Sequence, residues 1–240
     1  RVYAKIDSFI ALGDVVANDL ARHGVESSRI TTMSSGLNEA ILDEARQIQR
    51  VPGRIAAVGS LIPMKDISTL IEAFMMLPPG LNASLDIVGD GPQRSRLEAQ
   101  ARANNRIRFM GQLPRSGVYR VLGEAQIFAM CSRRLPGKGE GVPTALLEAM
   151  ALGKDCIVSN DALPTPVVTD THSYRVFPAG NAGALARLLE QSIRNPEESL
   201  NCGLRATAAV SHLGWGRVST RIEAIYDEIL GTAQGEGPAA

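Results

Sequence analysis

Short apolar runs alternate with amphipathic stretches along most of this chain. From Arg54 onward, runs of four or five mostly apolar residues are separated by segments whose apolar positions recur at helical spacing. Strands that alternate with helices are typical of right-handed βαβ units and a parallel sheet. The pattern predicts strands at Arg54–Val58, Ser84–Val88, Ile107–Met110, Ile127–Cys131, Cys156–Ser159 and Tyr174–Phe177. It predicts intervening helices at Ile67–Leu77, Gln93–Ala103, Ser116–Ala125 and Thr144–Leu152.

Different patterns flank this alternation on both sides. Before it, the sequence predicts a strand at Ser8–Leu12 and a second strand at Arg29–Met33. Between them it predicts a helix at Val15–His23, which Asp14 caps and which ends at Gly24. The stretch Asn38–Pro52 is polar with mixed charges, and we interpret it as a crossing between two domains. After the alternation, helices without strands are predicted at Ala182–Arg194, Pro196–Val210 and Arg217–Leu230.

Composition places the chain among ordinary globular proteins. Its 240 residues are 45% hydrophobic and 21% charged, enough for at least one sizeable core. The 25 basic and 25 acidic residues cancel, which argues against a nucleic-acid-binding protein whose affinity would depend on a basic field. Three cysteines without C-x-x-C spacing, Cys131, Cys156 and Cys202, are expected to be buried, reduced thiols. The chain begins with Arg rather than Met, so we expect a piece of a longer protein.

The most informative stretch runs from Gly137 to Gly153, with the sequence G-K-G-E-G-V-P-T-A-L-L-E-A-M-A-L-G. It leaves a predicted buried strand, passes through a glycine-rich loop and enters a helix near Pro143. Glycine lets backbone N–H groups turn toward a ligand, and the N-terminus of a helix attracts anions such as phosphate. Two carboxylates, Glu140 and Glu148, frame this strand-loop-helix unit.

The two carboxylates carry a family resemblance. Glu140 and Glu148, separated by seven residues within E-G-V-P-T-A-L-L-E-A-M-A-L-G, resemble the E-x(7)-E motif of retaining glycosyltransferases of family 4. The segment from Asp7 also resembles the end of their acceptor domain, although Gly13 stands where Ser is common and Ser35-Gly36 where Asn-Gly is common. The resemblance, which reaches about Leu230, implies a Rossmann-like parallel sheet flanked by helices, the C-terminal half of a GT-B glycosyltransferase.

This resemblance also implies a division of the chain. Residues 1–50 would be the remainder of an N-terminal acceptor domain and a linker, and residues 51–214 the donor-binding domain for a nucleotide sugar. Residues 215–230 would form a crossing helix, with Trp215 near its start, where we expect Trp215 to pack in the core. The Gly- and Pro-rich residues 231–240 predict a disordered tail.

Ligands of an open parallel sheet bind outside the carboxyl ends of its strands, so the family's motifs are expected in the loops there. The loop after the first of these strands, V-G-S-L-I-P-M-K-D, resembles V-G-R-L-x-x-x-K-G, whose Arg and Lys hold the donor diphosphate. Lys65 matches the Lys, whereas Ser60 replaces the Arg. Arg133, Arg134 or Lys138 would supply the missing charge, unless they belong to a solvated surface loop.

The remaining loops complete the predicted donor site. By resemblance, the backbone of F-M-G-Q-L-P pairs with the base, which leaves UDP and GDP open, while Glu140 contacts sugar hydroxyls and Glu148 the ribose. Lys65 and Glu140 are the predicted catalytic residues. The predicted donor-binding residues are Gly59, Ser60, Lys65, Gly89, Met110, Gly111, Leu113, Glu140, Gly141, Val142, Pro143, Thr144 and Glu148.

The implied reaction transfers a sugar from a nucleoside-diphosphate sugar to an acceptor hydroxyl, in the synthesis of bacterial cell-surface polysaccharide or glycolipid. The donor is a substrate, no cofactor or metal is implied, and no D-x-D pair is present to hold a metal. The acceptor sugar or lipid-linked glycan would bind the N-terminal domain, so we expect the chain alone to bind nucleotide without transferring sugar. A cytoplasmic location is implied, with peripheral association at the inner face of the membrane also open.

Two other functions stay open from the sequence. One is a non-catalytic binding or regulatory module with a decayed donor site, of which Ser60 would be the first sign. The other is a sugar-nucleotide epimerase or phosphorylase on the same scaffold. The E-x(7)-E context argues against the epimerase. The lack of a Lys motif for a pyridoxal cofactor argues against the phosphorylase. A dehydrogenase is disfavoured because no G-x-G-x-x-G follows the strand at Arg54–Val58.

Overall fold

A computed structural model describes residues 2–136 and 139–234. The strands are β1 (Phe9–Leu12), β2 (Ile30–Met33), β3 (Arg54–Val58), β4 (Ser84–Val88), β5 (Ile107–Gly111), β6 (Ile127–Met130), β7 (Asp155–Ser159) and β8 (Arg175–Phe177). The last six form one parallel sheet in the order β5-β4-β3-β6-β7-β8, and β1 pairs with β2 in a separate parallel pair. This confirms the predicted fold class, a Rossmann-like parallel sheet flanked by helices.

The helices follow the predicted alternation closely. They are α1 (Asp14–Arg22), α2 (Glu39–Arg46), α3 (Ile67–Met75), α4 (Arg94–Ala101), α5 (Arg115–Glu124), α6 (Thr144–Ala151), α7 (Ala182–Arg194), α8 (Pro196–Val210) and α9 (Trp215–Gln234). In the described part of the chain, no helix combines the length and apolar character needed to cross a bilayer.

Both faces of the main sheet are buried, as parallel sheets require. Successive residues of β3 point to opposite faces, so that Ile55 and Ala57 join the cluster around Phe74, while Ala56 joins the cluster around Phe128. The first cluster lies under α3, α4 and α7, and the second under α2, α5, α6 and α8. The three cysteines are buried free thiols, which agrees with the sequence-based expectation.

Helix α2 was not predicted, because its segment was interpreted only as a polar crossing. The Asn38 side chain accepts a hydrogen bond from the Ile41 N–H at 3.3 Å and so caps the helix. Leu42 and Ala45 are buried, and Ile41 and Ile48 pack partly buried against the same core. These positions follow helical spacing, but they lie among charged and polar residues, and the segment's polar composition indicates a connection instead.

The segment that contains α2 also holds the C-terminal end of α6. Arg46 donates to the Ala151 carbonyl at 3.2 Å, and Arg50 donates to the Gly153 carbonyl at 2.5 Å. These carbonyls belong to the last turn of α6 and its exit, where backbone acceptors lack helical partners. The segment is therefore held against the face of the main sheet that α6 covers.

Two expectations about the C-terminal region are wrong. Trp215 is not a core residue: it is 50% exposed and lies across Gly36, where a Cβ atom would come within 2.4 Å of the indole. Backbone hydrogen bonds fix this position, because Leu37 N–H donates to Leu213 and Trp215 N–H donates to Leu37. Helix α9 also continues past Leu230 to Gln234, so the first part of the expected disordered tail is helical; residues 235–240 lie outside the described residues.

Candidate functional site

Three glycines line up where β3, β4 and β5 end. Gly59 N–H donates to the Val88 carbonyl at 3.0 Å, and Gly89 N–H donates to the Gly111 carbonyl at 2.8 Å. Gly89 has φ of +131°, and a Cβ atom there would lie 2.0 Å from the Gly59 carbonyl oxygen. At this glycine edge of the sheet the strand ends therefore pack backbone against backbone, and the stem of Lys65 lies over Gly59.

The two predicted catalytic side chains meet above this edge. Lys65, in the short 3-10 turn Pro63–Lys65, donates to Glu140 Oε1 at 2.5 Å. The side chains of Lys65 and Glu140 are only 18% and 9% exposed, so the pair is partly desolvated. Ser132 Oγ donates to the same carboxylate oxygen at 2.5 Å, and the Ser132 carbonyl in turn accepts a hydrogen bond from Ser159 Oγ. A chain of hydrogen bonds from β7 thus fixes Glu140 beside Lys65.

Arg133 ties the loop after β6 to the loop after β3. Its N–H donates to the Met64 carbonyl at 2.7 Å, and its guanidinium lies 3.7 Å from Asp66 Oδ2. Asp66 adopts a left-handed conformation with φ of 43°, and Thr69 Oγ1 donates to it at 2.7 Å. Of the cations proposed to replace the missing Arg, Arg133 is therefore engaged with Asp66, whereas Lys138 lies outside the described residues.

Glu148, in the second turn of α6, is buried with only 9% of its surface exposed. Its Oε1 atom accepts hydrogen bonds from Tyr119 Oη at 2.8 Å and from Arg115 Nη2 at 3.1 Å. Burial raises the pKa of Tyr119, so its hydroxyl keeps its proton and remains a donor. The carboxylate is thus held by two side chains of α5.

Sequence reasoning missed Arg115 and Tyr119. They lie one turn apart at the start of α5, where β5 has just ended, and their four-residue spacing was the available signal. Because the helix was predicted to begin at Ser116, Arg115 was left in the preceding loop. Ser132 and Ser159, which position Glu140, were missed as well, since small polar residues at strand ends carry no distinctive pattern.

The β1–β2 unit packs directly on the loop that carries Glu140. Val142 N–H donates to the Leu12 carbonyl at 3.3 Å, and a Cβ atom at Gly141 would lie 2.6 Å from that carbonyl oxygen. Gly13 has φ of +90°, and a Cβ atom there would lie 3.0 Å from Val142 N. Glycine at both positions permits this close approach.

The N-terminus of α6 lies at the same junction. Pro143 is buried at the N-cap position, and Thr144 is the first helical residue. Thr144 Oγ1 lies 3.3 Å from Ser35 Oγ, which belongs to the turn after β2. The β1–β2 unit thus contacts both the Gly-rich loop and the start of the helix that the sequence predicted.

Within the described residues, the other predicted donor-binding residues form no side-chain hydrogen bond or ion pair with Lys65 or Glu140. Ser60 and Met110 are exposed, and Leu113 packs against the core beside α5. Their predicted roles depend on backbone contacts or on a ligand, so they stay predictions.

A cleft of about 610 Å³ opens beside the Lys65–Glu140 pair. One wall is α1, and the other consists of the loops that lead into Lys65 and Glu140. Its rim mixes carboxylates and guanidinium groups with apolar side chains, a lining that suits a polar ligand with apolar faces. The lining residues are Asp14, Val15, Val16, Asn18, Asp19, Arg22, Ile62, Met64, Arg134, Leu135 and Gly139.

Known proteins resemble this chain in sequence and fold. It is 26% identical over 216 residues to the amylovoran biosynthesis glycosyltransferase AmsK of Erwinia amylovora, covering 88% of this chain and 53% of AmsK. It is 27% identical over 220 residues to the putative colanic acid biosynthesis glycosyltransferase WcaL of Escherichia coli K12, covering 88% and 54%. The chain thus spans about half the length of the curated relatives it matches.

Among solved structures, Anabaena Alr3699/HepE in complex with UDP and glucose matches the fold with a TM-score of 0.77 at 16% identity, covering 92% of this chain and 63% of that one. The family described as Glycosyl transferases group 1 matches residues 39–208, from the start of α2 into α8. Because this match includes the whole main sheet and most of the chain, the protein belongs to the group 1 glycosyltransferase family.

Proposed function

We propose that this chain is the donor-binding half of a retaining glycosyltransferase of family 4, which transfers a sugar from a nucleoside diphosphate to an acceptor hydroxyl. The observation that carries the proposal is the contact of Lys65 with Glu140 beside the N-terminus of α6 and the glycine edge of the sheet. The curated relatives named above are glycosyltransferases about twice as long as this chain, which supports its assignment as one half.

Each group of the site has a task in this proposal. The ammonium of Lys65 and the N–H groups at the start of α6 stabilise the negative charge that develops on the departing diphosphate. Glu140 binds sugar hydroxyls, and Glu148 binds the ribose. The stem of Lys65 lies over Gly59, where a Cβ atom would come 3.4 Å from Lys65 Cε, so glycine at this position lets Lys65 lie close to the strand ends at which the donor is proposed to bind.

The acceptor class follows from the relatives' names alone. AmsK and WcaL are named for the biosynthesis of amylovoran and colanic acid, which supports a role in bacterial cell-surface polysaccharide synthesis. The acceptor sugar or lipid-linked glycan is proposed to bind the cleft wall formed by α1 and the further acceptor domain. The cytoplasmic location and the peripheral contact with the inner membrane face stay predictions.

One observation favours a second candidate, a non-catalytic nucleotide-sugar-binding module. Ser60 is exposed where related motifs carry Arg, and Arg133 is engaged with Asp66. Such a module would still bind a donor, but less strongly, and would not support transfer even when joined to an acceptor domain.

Calorimetric titration of the chain with UDP and GDP tests the proposal. We expect one nucleotide to bind, and both Lys65→Ala and Glu148→Ala to weaken binding about tenfold or more, since each removes a charged contact worth about 1.5–3 kcal/mol. Glu190→Gln, which breaks an exposed ion pair on α7, serves as control and should bind as the wild type does. A folded chain that binds neither nucleotide would contradict a working donor half, and sugar transfer by the chain alone would contradict the assignment of the acceptor site to another domain.

A further inference from the structure

The carboxylate of Glu148 is held on one side only. Both hydrogen bonds, from Tyr119 and Arg115, reach Oε1. In the described part of the chain, the fully buried side-chain atoms that lack a hydrogen-bond partner are Ser34 Oγ and Ser199 Oγ. Glu148 Oε2 is not among them, so this unpaired oxygen is not fully buried. Because Oε2 accepts no hydrogen bond from the described residues, it remains accessible to a hydroxyl group of a ligand.

The direction of the hydrogen bonds follows from the chemistry of the three groups. A guanidinium only donates, and Arg115 contacts Tyr119 Oη through Nε at 3.3 Å and Nη2 at 3.0 Å. The Tyr119 oxygen therefore accepts from Arg115, and its own proton is directed to Glu148. The hydrogen bonds therefore run from Arg115 through Tyr119 to Oε1 of Glu148.

Burial makes this arrangement rigid. Tyr119 is only 2% exposed and packs in the core cluster with Leu146 and Leu147 of α6, while the Arg115 guanidinium lies 5.5 Å from its ring centre. The side chain of Arg115 is 56% exposed, so it can neutralise Glu148 from the solvent side. A side chain held by packing and by two donors loses less freedom when a ligand binds, and pre-organisation of this kind raises affinity.

We propose that Tyr119 and Arg115 are positioning residues that fix the carboxylate of Glu148, so that Oε2 binds the ribose hydroxyls of the nucleotide. This inference rests on the proposed function, because it takes a ribonucleotide as the ligand. Neither residue needs to touch the nucleotide: each acts through Glu148. Removal of the Tyr119 hydroxyl leaves the carboxylate charged but free to rotate toward Arg115.

The test compares a ribonucleotide with an analogue that lacks both ribose hydroxyls. Calorimetric titration uses whichever of UDP and GDP the wild-type chain binds, together with its dideoxy analogue. Tyr119→Phe should weaken binding of the ribonucleotide about 5- to 20-fold, the range expected when a charged hydrogen bond of about 1–2 kcal/mol is lost. Binding of the dideoxy analogue should change less than twofold. Tyr174→Phe, at a buried tyrosine outside this site, is the matched control and should bind both ligands as the wild type does.

A double-mutant cycle separates positioning from general stability. In a Glu148→Ala background, Tyr119→Phe should have no further effect on ribonucleotide binding, because the side chain that it positions is gone. Unchanged affinity in Tyr119→Phe, or an equal loss for both ligands or in both backgrounds, would overturn the inference. If Tyr119→Phe does not fold, Arg115→Met, at a half-exposed position, is compared in the same way and decides the matter.

The same titrations separate this inference from the proposed function. A wild-type chain that binds neither ribonucleotide nor analogue would overturn both. A wild-type chain that binds the ribonucleotide, with a Tyr119→Phe variant of equal affinity, would overturn the positioning role alone and leave the donor site standing.

Discussion

Glu140→Gln is expected to strengthen binding of the free nucleoside diphosphate. The amide keeps the shape of the side chain and can still accept the hydrogen bond from Ser132, but it removes the charge opposite Lys65. In the proposed reaction, a diphosphate must attract the Lys65 ammonium, for which the Glu140 carboxylate competes. The substitution therefore removes the attraction between Glu140 and Lys65 that competes with the diphosphate, without altering the shape of the site.

The magnitude follows from the geometry of the pair. Two unit charges about 4 Å apart interact by about 4 kcal/mol at an effective dielectric constant of about 20, and Lys65 and Glu140 are closer than this and partly buried. Desolvation of the two charges offsets much of that attraction. The net attraction of Glu140 for Lys65 is then about 1–2 kcal/mol. Its removal in Glu140→Gln corresponds to about 5- to 30-fold tighter binding of the nucleoside diphosphate.

Titration calorimetry with the nucleoside diphosphate and with a nucleotide sugar provides the measurement. The nucleotide sugar should gain less than the nucleoside diphosphate, because the predicted contact between Glu140 and the sugar is lost at the same time. Glu190→Gln again serves as the control, since it breaks an ion pair of 2.8 Å with Arg194 away from the site. Weaker binding of the nucleoside diphosphate to Glu140→Gln, or an equal gain in the control, would refute the competition between Glu140 and the diphosphate for Lys65.

Two further predictions concern stability. Burial lowers the pKa of Lys154 to about 7, and the nearby charge of Arg50 adds to the effect. The folded chain therefore releases this proton at a lower pH than the unfolded chain does. Because the unfolded chain then binds more protons, the free energy of unfolding should rise with pH from about 7 to about 10. Urea unfolding should give a gain of about 2 kcal/mol between about pH 7 and 9, and Lys154→Met should remove most of it; an unchanged slope in the variant would contradict the assignment to Lys154. Gly141→Ala should lower the free energy of unfolding by about 1–3 kcal/mol, because its Cβ atom would lie 2.6 Å from the Leu12 carbonyl oxygen. Thermal unfolding beside Gly80→Ala, where a Cβ atom meets nothing within 4 Å, would show whether the loss is specific.

The sheet could be predicted from the sequence because its central strands are buried on both faces. Continuous apolar runs such as Ile127–Met130 need no distant contact to be recognised as strands. Helix α2 was missed although Asn38 caps it and Ile41, Leu42 and Ala45 lie on one face, because its short apolar face lies within a largely polar segment. The exposure of Trp215 depends on the backbone of Gly36, far away in sequence, and burial statistics for large aromatics gave the wrong expectation.

The candidate site was predictable where it depends on loops that follow strands. Lys65 and Glu140 follow β3 and β6, which pair in the sheet, and their loops meet as expected from parallel order. The contacts of Glu148 were not predictable, since Tyr119 lies 29 residues away on another helix, and only the packing of α5 and α6 on one face brings them together. Side-chain relays of this kind depend on tertiary packing, which a motif does not encode.

The two arginines at the far end of α6 change the electric field at its near end. A helix of eight residues is only about 12 Å long, so the partial negative charge of its C-terminal carbonyls lies close enough to weaken the positive potential at its N-terminus. Arg46 and Arg50 donate to carbonyls at that C-terminal end and counter this negative charge. The potential at Thr144 then resembles that of an isolated positive pole rather than that of a short dipole, and it falls off more slowly with distance. Residues of the connecting segment thereby increase the attraction of α6 for an anion that they never touch.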